Sequence, residues 1–193
     1  MITGSAAEAA ELADLVAGTA PFVEGRRADG RLLANYFDGH RVLGAPAALD
    51  RIATAMARRI QRTGVAFVAG EAAAGSGLAV AVSLASVRTG RTLSARTLRR
   101  TAKTYGVPGV LSTPAPPRSR FAVVDDVAGT GAALERSVER LHELGHEVVG
   151  AWVIVDRQDG ATQRLLSRGV ELTSLLTLGD IRTMMTIRTP ERP

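Results

Sequence analysis

Apolar and polar residues follow two different spacings along this chain, and each spacing predicts one kind of element. Apolar residues three and four positions apart predict helices, whereas short continuous apolar runs ended by glycine or acidic residues predict strands buried on both faces. The predicted helices are residues 6–17, 47–62, 78–87, 132–144 and 161–168. The predicted strands are residues 65–70, 92–95, 121–124, 148–155 and 170–176.

Strands that are separated by helices need crossover connections, so the predicted fold is α/β, a doubly wound and mostly parallel sheet with helices on both faces. Residues 22–38 are rich in glycine and arginine and predict a short hairpin or an irregular hood. Four prolines between residues 107 and 120 predict an exposed, mobile loop without regular structure. We expect one domain over residues 1–193, with a helix and hood over about 1–45, a core over 46–181 that includes the mobile loop at about 100–120, and a tail over 182–193.

Composition narrows the classes of function. The chain has 193 residues, of which 46% are hydrophobic and 22% charged, as is usual for one globular domain. It has no cysteine, which excludes disulfides, a thiolate nucleophile, cysteine-ligated zinc and iron–sulfur clusters. No apolar run approaches the roughly 18 residues that span a bilayer, and acidic residues stand where a signal peptide would be basic. We therefore expect a cytoplasmic protein with no membrane partner.

The charge balance favours anionic ligands. The net charge is +5, and arginine outnumbers lysine so strongly that Lys103 is the only lysine. Such a balance suits nucleic acid as well as small phosphorylated molecules. Aromatic residues make up only 4% of the chain, which weakens the case for a platform that stacks single-stranded nucleic acid.

The segment with the most chemical information is residues 121–133, where an apolar strand leads into Asp125, Asp126, a small-residue loop and a helix start. Ligands of parallel sheets bind at the carboxyl ends of strands. Glycines let the backbone approach closely, so the amides of residues 129–133 and the helix N-terminus can bind one phosphate. The two carboxylates would repel that phosphate unless they bind sugar hydroxyls or a divalent cation. The segment therefore predicts a ligand that carries a phosphate and vicinal hydroxyls.

Two familiar phosphate loops do not fit this segment. A P-loop needs lysine after its last glycine, where this chain has Ala132, and the dinucleotide fingerprint needs glycine where this chain has Leu134. A purely structural alternative is a strand that ends in a tight turn, with the acids capping the helix.

Residues 121–133 resemble the motif that binds 5-phosphoribosyl-1-diphosphate (PRPP) in type I phosphoribosyltransferases, namely an apolar strand, two acids and a small-residue loop. Further segments resemble the orotate phosphoribosyltransferase branch and follow its order along the chain. These are Arg-Arg-Thr-Ala-Lys-Thr-Tyr-Gly at 99–106, similar to the start of that family's catalytic loop; Asp156-Arg157, similar to its Asp-Arg element; residues 30–46, similar to its hood; and residues 177–181, similar to its ending. The resemblance covers about residues 22–181.

This resemblance implies a Mg²⁺-dependent transfer of the 5-phosphoribosyl group from PRPP to orotate, which gives orotidine 5′-phosphate and diphosphate in pyrimidine nucleotide biosynthesis. Negative charge develops on the departing diphosphate, and cations stabilise it. The resemblance assigns catalysis to Lys103, Arg99 and Asp125. It also implies a homodimer with shared active sites, in which Arg99, Lys103 and Tyr105 act either within their own chain or in the partner's site.

The residues implied to bind ligands form three sets. Those for PRPP are Arg99, Arg100, Lys103, Tyr105, Asp125, Asp126, Val127, Ala128, Gly129, Thr130, Gly131, Ala132 and Ala133. Those for orotate are Gly129, Arg157, Tyr36 and Phe37, and those for Mg²⁺ are Asp125 and Asp126. The guanidinium of Arg157 can bind the orotate carboxylate through two parallel hydrogen bonds. Without the resemblance, Arg99 and Arg100 could form a solvated basic turn, and Arg157 could pair with Asp156 or Asp159 at the surface.

Several positions depart from the family pattern and leave the acceptor open. Ala28 stands where many orotate enzymes have a lysine, and Gly129 where a threonine often contacts the base. Ala73 and Ala74 occupy positions where some members carry Tyr-Lys, and Glu71 adds a negative charge nearby. One alternative is therefore a phosphoribosyltransferase for another nucleobase or heterocycle. A second is a non-catalytic PRPP-sensing regulator that binds nucleic acid, against which the retained lysine and the lack of a helix-turn-helix or aromatic platform argue.

Overall fold

The computed structural model describes residues 5–26, 32–106 and 108–188. Within these ranges the strands are β1 (Phe22–Arg26), β2 (Leu32–Phe37), β3 (Phe67–Glu71), β4 (Ser94–Lys103), β5 (Gly109–Leu111), β6 (Arg120–Ala128), β7 (Glu147–Asp156) and β8 (Leu172–Thr177). The helices are α1 (Ala6–Gly18), α2 (Gly39–Leu43), α3 (Pro46–Gln61), α4 (Ala74–Thr89), α5 (Ala132–Glu143), α6 (Ala161–Leu166) and α7 (Leu178–Arg188). No described helix combines the length and the apolar character needed to cross a bilayer.

One mostly parallel sheet forms the centre of the fold. Its strand order is β5-β4-β3-β6-β7-β8, and every neighbouring pair is parallel except β4 with β5. Residues along β6 alternate between two cores: Ala122 and Val124 pack with α3 and α4, whereas Phe121 and Val123 pack with α5 and α6. The doubly wound α/β prediction is confirmed, and burial on both faces explains why the strands are continuous apolar runs.

The strand order places a crevice between β3 and β6. From β3 the chain continues to β4 on one side, and it later returns to β6 on the other side. The connections at the carboxyl ends of these two neighbours therefore lead in opposite directions. Such a switch point leaves room for a ligand at the sheet edge.

The N-terminal hairpin precedes this sheet in the sequence. Strands β1 and β2 pair antiparallel, with Phe22 opposite Phe37, as the hairpin prediction expected. Helix α2 follows directly, and the side chain of Asp38 caps it by accepting a hydrogen bond from the His40 N–H at 3.0 Å. This five-residue helix was not predicted because one turn is too short to show a periodic apolar pattern.

The segment predicted as a loop without regular structure is partly a strand. Strand β4 continues to Lys103 and pairs with β5, so the Arg-Arg-Thr-Ala-Lys run lies in a strand instead of opening a loop. The Arg99 guanidinium crosses this pair and donates to the carbonyl oxygens of Gly109 and Leu111, each at 2.8 Å. The prolines lie on either side of β5 and not within it, so the backbone N–H groups of β5 remain free to pair with β4. The prediction of a loop without regular structure is therefore wrong for these residues.

Two further boundaries differ from the prediction. Residues 182–188, predicted as a tail, belong to α7, which buries Ile181 and bonds Arg188 to Asp14 of α1. The remaining tail residues 189–193 lie outside the described residues. Strand β6 extends beyond residue 124 to Ala128, paired with β7, so the two acids lie in the last part of a strand.

Candidate active site

A cavity of about 320 Å³ opens at the carboxyl ends of β3 and β6. It brings together many residues predicted from the sequence: Tyr36, Phe37, Arg100, Asp125, Asp126, Val127, Gly129, Ala133 and Arg157. It also includes Glu71, Ala73 and Ala74, which were named above as departures from the family pattern, and Ala72 between them. Asp38, Gly39 and His40 complete the described lining and were not predicted as site residues. Their sequence signal is the Asp-Gly pair of a capped helix start, which indicates structure but no ligand.

Asp125 and Asp126 form the acidic side of the cavity. The Asp126 N–H donates to Asp125 Oδ1 at 3.0 Å, and the Val127 N–H donates to Asp126 Oδ1 at 2.8 Å. Among the described residues, neither carboxylate takes part in an ion pair. Burial, and after it the negative charge of Asp126, raises the pKa of Asp125 to about 8. Two adjacent carboxyls without cationic partners are strong sites for hydroxyl groups or for a cation.

The two acids alone do not make a metal site. In the described ranges no group of three or more histidines and acids could hold a metal ion. Magnesium is commonly bound through one or two carboxylates together with phosphate oxygens of the substrate and water. Asp125 and Asp126 therefore fit Mg²⁺ when a phosphorylated ligand supplies the other oxygens.

The loop after β6 turns tightly into the start of α5. Gly131 has a φ of +80° at the N-cap of α5, and a Cβ there would lie 2.9 Å from Ala161 Cα, so the position requires glycine. Arg164 Nε donates to the Thr130 carbonyl at 2.7 Å, which ties the loop to α6. The first N–H groups of a helix have no intrahelical partner, so the start of α5 offers amide donors to an anion.

Only part of the predicted phosphate loop faces the cavity. Gly129 and Ala133 are lining residues. Four predicted PRPP contacts lie beside the described lining and not in it: Ala128, Thr130, Gly131 and Ala132. Backbone amides need no side chain at the surface of the cavity, so this arrangement is compatible with binding through the main chain.

The predicted cations divide into two groups. Arg100 lines the cavity, where its Nε donates to Glu71 Oε1 at 2.9 Å. Arg99, by contrast, bonds the backbone of β5, and Lys103 Nζ lies 4.4 Å from the centroid of the Tyr105 ring. The Tyr105 side chain is 74% exposed. The structure does not bring Arg99, Lys103 and Tyr105 to the described lining of their own chain's cavity.

Arg157 directly follows β7, whereas Glu71 ends β3, two strands away in the sheet. The two residues therefore lie on opposite sides of the cavity opening. The Arg157 N–H donates to the Ala128 carbonyl at 2.8 Å, which fixes Arg157 beside the loop. Its side chain lines the cavity, and Nε lies 3.1 Å from Asp159 Oδ2. Both partners are partly exposed, and exposed ion pairs contribute only about 0–1 kcal/mol, so a ligand carboxylate can displace Asp159. Asp156 instead accepts from the Gln158 N–H.

The remaining wall follows β3. A Cβ at Gly70 would lie 2.0 Å from the Gly75 carbonyl oxygen, so the chain turns back on itself at close range. Ala72, Ala73 and Ala74 lie in this turn and line the cavity. Ala28, which bears on the choice of acceptor, lies outside the described residues.

Comparison with known proteins gives one consistent result. A family model described as a phosphoribosyl transferase domain matches residues 40–168, more than half of the chain. The orotate phosphoribosyltransferase of Methanothermobacter thermautotrophicus is 34% identical over 151 residues, which cover 78% of this chain and 80% of that protein.

Solved structures agree with the sequence relatives. Mycobacterium tuberculosis orotate phosphoribosyltransferase, in complex with Fe(III) dicitrate, superposes with a TM-score of 0.79 at 27% identity, covering 90% of this chain and 98% of that one. The same enzyme in complex with PRPP gives a TM-score of 0.74 at 25% identity, with 92% and 93% covered.

Proposed function

The chain belongs to the phosphoribosyltransferase family, and from this premise we propose that it transfers the 5-phosphoribosyl group of PRPP to orotate in pyrimidine nucleotide biosynthesis. A ring nitrogen of orotate forms a bond to ribose C1 and releases its proton to water while the bond from C1 to diphosphate breaks, giving orotidine 5′-phosphate and diphosphate. The observation that carries the proposal is the cavity at the switch point, which brings together two acids, Gly129 and Ala133 of the loop after β6, and Arg157.

The donor fits the acidic side and the loop. We assign the ribose hydroxyls to Asp125 and Asp126, which have acceptor oxygens and no described cationic partner. The 5-phosphate is assigned to the amides of residues 129–133 at the start of α5. The diphosphate then extends toward Arg100 and residues 72–74. Cations at the leaving group stabilise the charge that develops as the C1–O bond breaks.

The acceptor fits the opposite side of the cavity. Arg157 can bind the orotate carboxylate through two parallel hydrogen bonds. Phe37 is buried and packs edge-on against Phe22 with ring centroids 5.6 Å apart, so it offers a rigid wall. Tyr36, 42% exposed, lies at the rim where it can cover the base. In this proposal the acceptor ring approaches ribose C1 between these side chains and the acids.

Mg²⁺ is part of the proposal. When bound with PRPP it would neutralise charge on the diphosphate, and Asp125 and Asp126 are the residues that would hold it. The adjacency of the two carboxyls, neither of which has a cationic partner among the described residues, supports this assignment.

We also propose a homodimer in which Arg99, Lys103 and Tyr105 serve the partner's cavity. Support comes from their placement away from the described lining of their own cavity. A second support is an exposed apolar stripe on α4, formed by Val80, Leu84 and Val87, whose spacing puts them on one helical face. A lysine in trans would add a compact cation at the diphosphate.

The test is a direct assay with PRPP, Mg²⁺ and orotate. We expect orotate absorbance to fall and diphosphate to appear in equal amount, and we expect no change when PRPP is omitted. No loss of orotate at high enzyme concentration would remove orotate as the acceptor. Because Gly129 lines the cavity without a side chain, a second candidate is transfer to another heterocycle. A panel of nucleobases screened for the mass added by a phosphoribosyl group would identify it.

A further inference from the structure

Glu71 places a buried negative charge in the wall of a cavity that we propose binds a diphosphate. Its side chain is only 6% exposed, and it lines the cavity together with Arg100. An unpaired carboxylate there would repel the donor, since like charges at short range in a poorly solvated site interact strongly. The contacts of Glu71 therefore decide whether it opposes or assists binding.

Glu71 is paired with arginines from two elements. Its Oε1 accepts from Arg100 Nε of β4 at 2.9 Å, and Arg136 Nη2 of α5 lies 3.6 Å from the same oxygen. Its other oxygen, Oε2, is buried and has no hydrogen-bond partner among the described residues. The carboxylate thus lies between two guanidinium groups that would otherwise repel each other.

Helix α5 fixes the backbone to which Arg100 belongs. Arg140, one turn beyond Arg136, donates to the carbonyl oxygens of Arg99 and Arg100 at 2.7 and 2.6 Å. The end of β4 is therefore held by α5 through its backbone, while Glu71 holds the Arg100 side chain. That side chain is otherwise 74% exposed and would sample many rotamers.

We propose that Glu71 is a positioning residue, which orients the Arg100 guanidinium toward the diphosphate of the donor. Arg136 balances the negative charge of Glu71. The inference rests on the proposed phosphoribosyl transfer. In the described contacts Glu71 engages Nε of Arg100, so the two Nη groups remain to donate to phosphate oxygens. Preorganisation lowers the entropy lost on binding, and pairing with two arginines weakens the repulsion between the Glu71 carboxylate and the diphosphate, so the proposal requires the first effect to exceed the second.

The proposal predicts the opposite sign from simple electrostatics. Removal of a negative charge near an anion site should tighten anion binding by Coulomb's law. If Glu71 acts through Arg100, Glu71→Gln should instead weaken binding of PRPP and of inorganic diphosphate, each with Mg²⁺, by about three- to tenfold. The KM for orotate should stay unchanged, since Arg157 is untouched.

A double-mutant cycle supplies the decisive measurement. Arg100→Gln is expected to weaken PRPP binding by about tenfold, and Glu71→Gln combined with Arg100→Gln should be no worse than Arg100→Gln alone. Glu147→Gln is the matched control, because Glu147 pairs with Arg120 at the other end of the strands. It should leave PRPP affinity unchanged.

The outcomes separate this inference from the proposed function. The role of Glu71 is overturned if Glu71→Gln binds PRPP as tightly as wild type or more tightly, or if the losses in the cycle are additive. Normal turnover by the wild-type protein in that case leaves the proposed function standing. A wild-type protein that binds neither PRPP nor diphosphate overturns both. If Glu71→Gln is unstable, as melting would reveal, Arg136→Gln takes its place, and we expect weakened PRPP binding that disappears in the Arg100→Gln background.

Discussion

Gly39 touches the carboxylate of Asp126 so closely that a Cβ at Gly39 would lie 1.9 Å from Asp126 Oδ2. The contact joins the start of α2 to the end of β6, so the hairpin side of the cavity and the acids are positioned against each other. The obstructing atom is the end of a side chain that can rotate. An added methyl group would therefore displace the Asp126 carboxylate, and because it would also lie 3.0 Å from Asp126 Cβ, it would strain the contact between α2 and β6 slightly.

Gly39→Ala should raise the KM for PRPP by about ten- to a hundredfold, because misplacement of a binding group by about 1 Å can cost that much. Melting temperature should change little. Gly77→Ala is the matched control: nothing lies within 4 Å of a Cβ at Gly77, which is exposed in α4. That variant should keep full activity and gain up to about 1 kcal/mol in free energy of unfolding. Equal kinetics for the two variants would contradict the assigned role of Asp126.

Asp125 should make stability depend on pH. Its pKa is raised from 3.8 to about 8, so between these values the folded protein keeps a proton that the unfolded chain has released. Stability due to this group is therefore complete below about pH 4 and is lost as pH rises toward 8. Asp125→Asn removes the titration, so the melting temperature of the variant relative to wild type should rise from pH 5 to pH 8 and then level off. A difference that does not vary with pH would show that Asp125 ionises normally.

Arg157 should act on the acceptor and not on the donor. We expect Arg157→Ala to raise the KM for orotate by about ten- to a hundredfold, because it removes a charge-assisted, two-bond contact, while the dissociation constant of PRPP changes by less than about threefold. Calorimetry with each ligand separates the two effects. Asp159→Asn, which frees Arg157, should lower the KM for orotate or leave it unchanged. Loss of PRPP binding in Arg157→Ala would place this arginine at the wrong substrate.

Shared active sites can be tested by mixing two inactive chains. Lys103→Ala lacks the cation at the end of β4 and Asp125→Asn lacks the acid, so each homodimer should be impaired. If Lys103 serves the partner's cavity, co-refolded mixtures contain one intact site per heterodimer and should recover about a quarter of wild-type activity. If Lys103 acts in its own chain, both sites of every heterodimer are defective and no activity returns.

The order of the core elements could be predicted because burial imposes a repeated pattern. Strands such as β3 and β6 are apolar on both faces, and glycine or acids end the runs. The acids and the loop of residues 129–133 could be predicted as candidate site residues for a different reason, which is their local residue types. The glycine at position 131, for example, is required because the backbone there passes close to Ala161. Local chemistry therefore pointed to the side of the cavity that the acids and this loop form.

Strand β5, helix α7 and the role of Gly39 could not be predicted, because they depend on contacts between segments that are distant in the sequence. Strand β5 has three residues and forms because Arg99 and the β4 backbone give it partners, which no periodic pattern reveals. Helix α7 shows little amphipathic pattern and is anchored by Ile181 and by Arg188 against α1. Gly39 likewise looks like an ordinary helix start until the fold brings Asp126 against it.

The most direct measurement is a crystal structure of the protein soaked with PRPP and Mg²⁺. The account predicts ribose hydroxyls on the carboxylates of Asp125 and Asp126, the 5-phosphate on the amides of residues 129–133, and the diphosphate toward Arg100. Density for PRPP at another place on the chain, or a ribose turned away from the two acids, would contradict it.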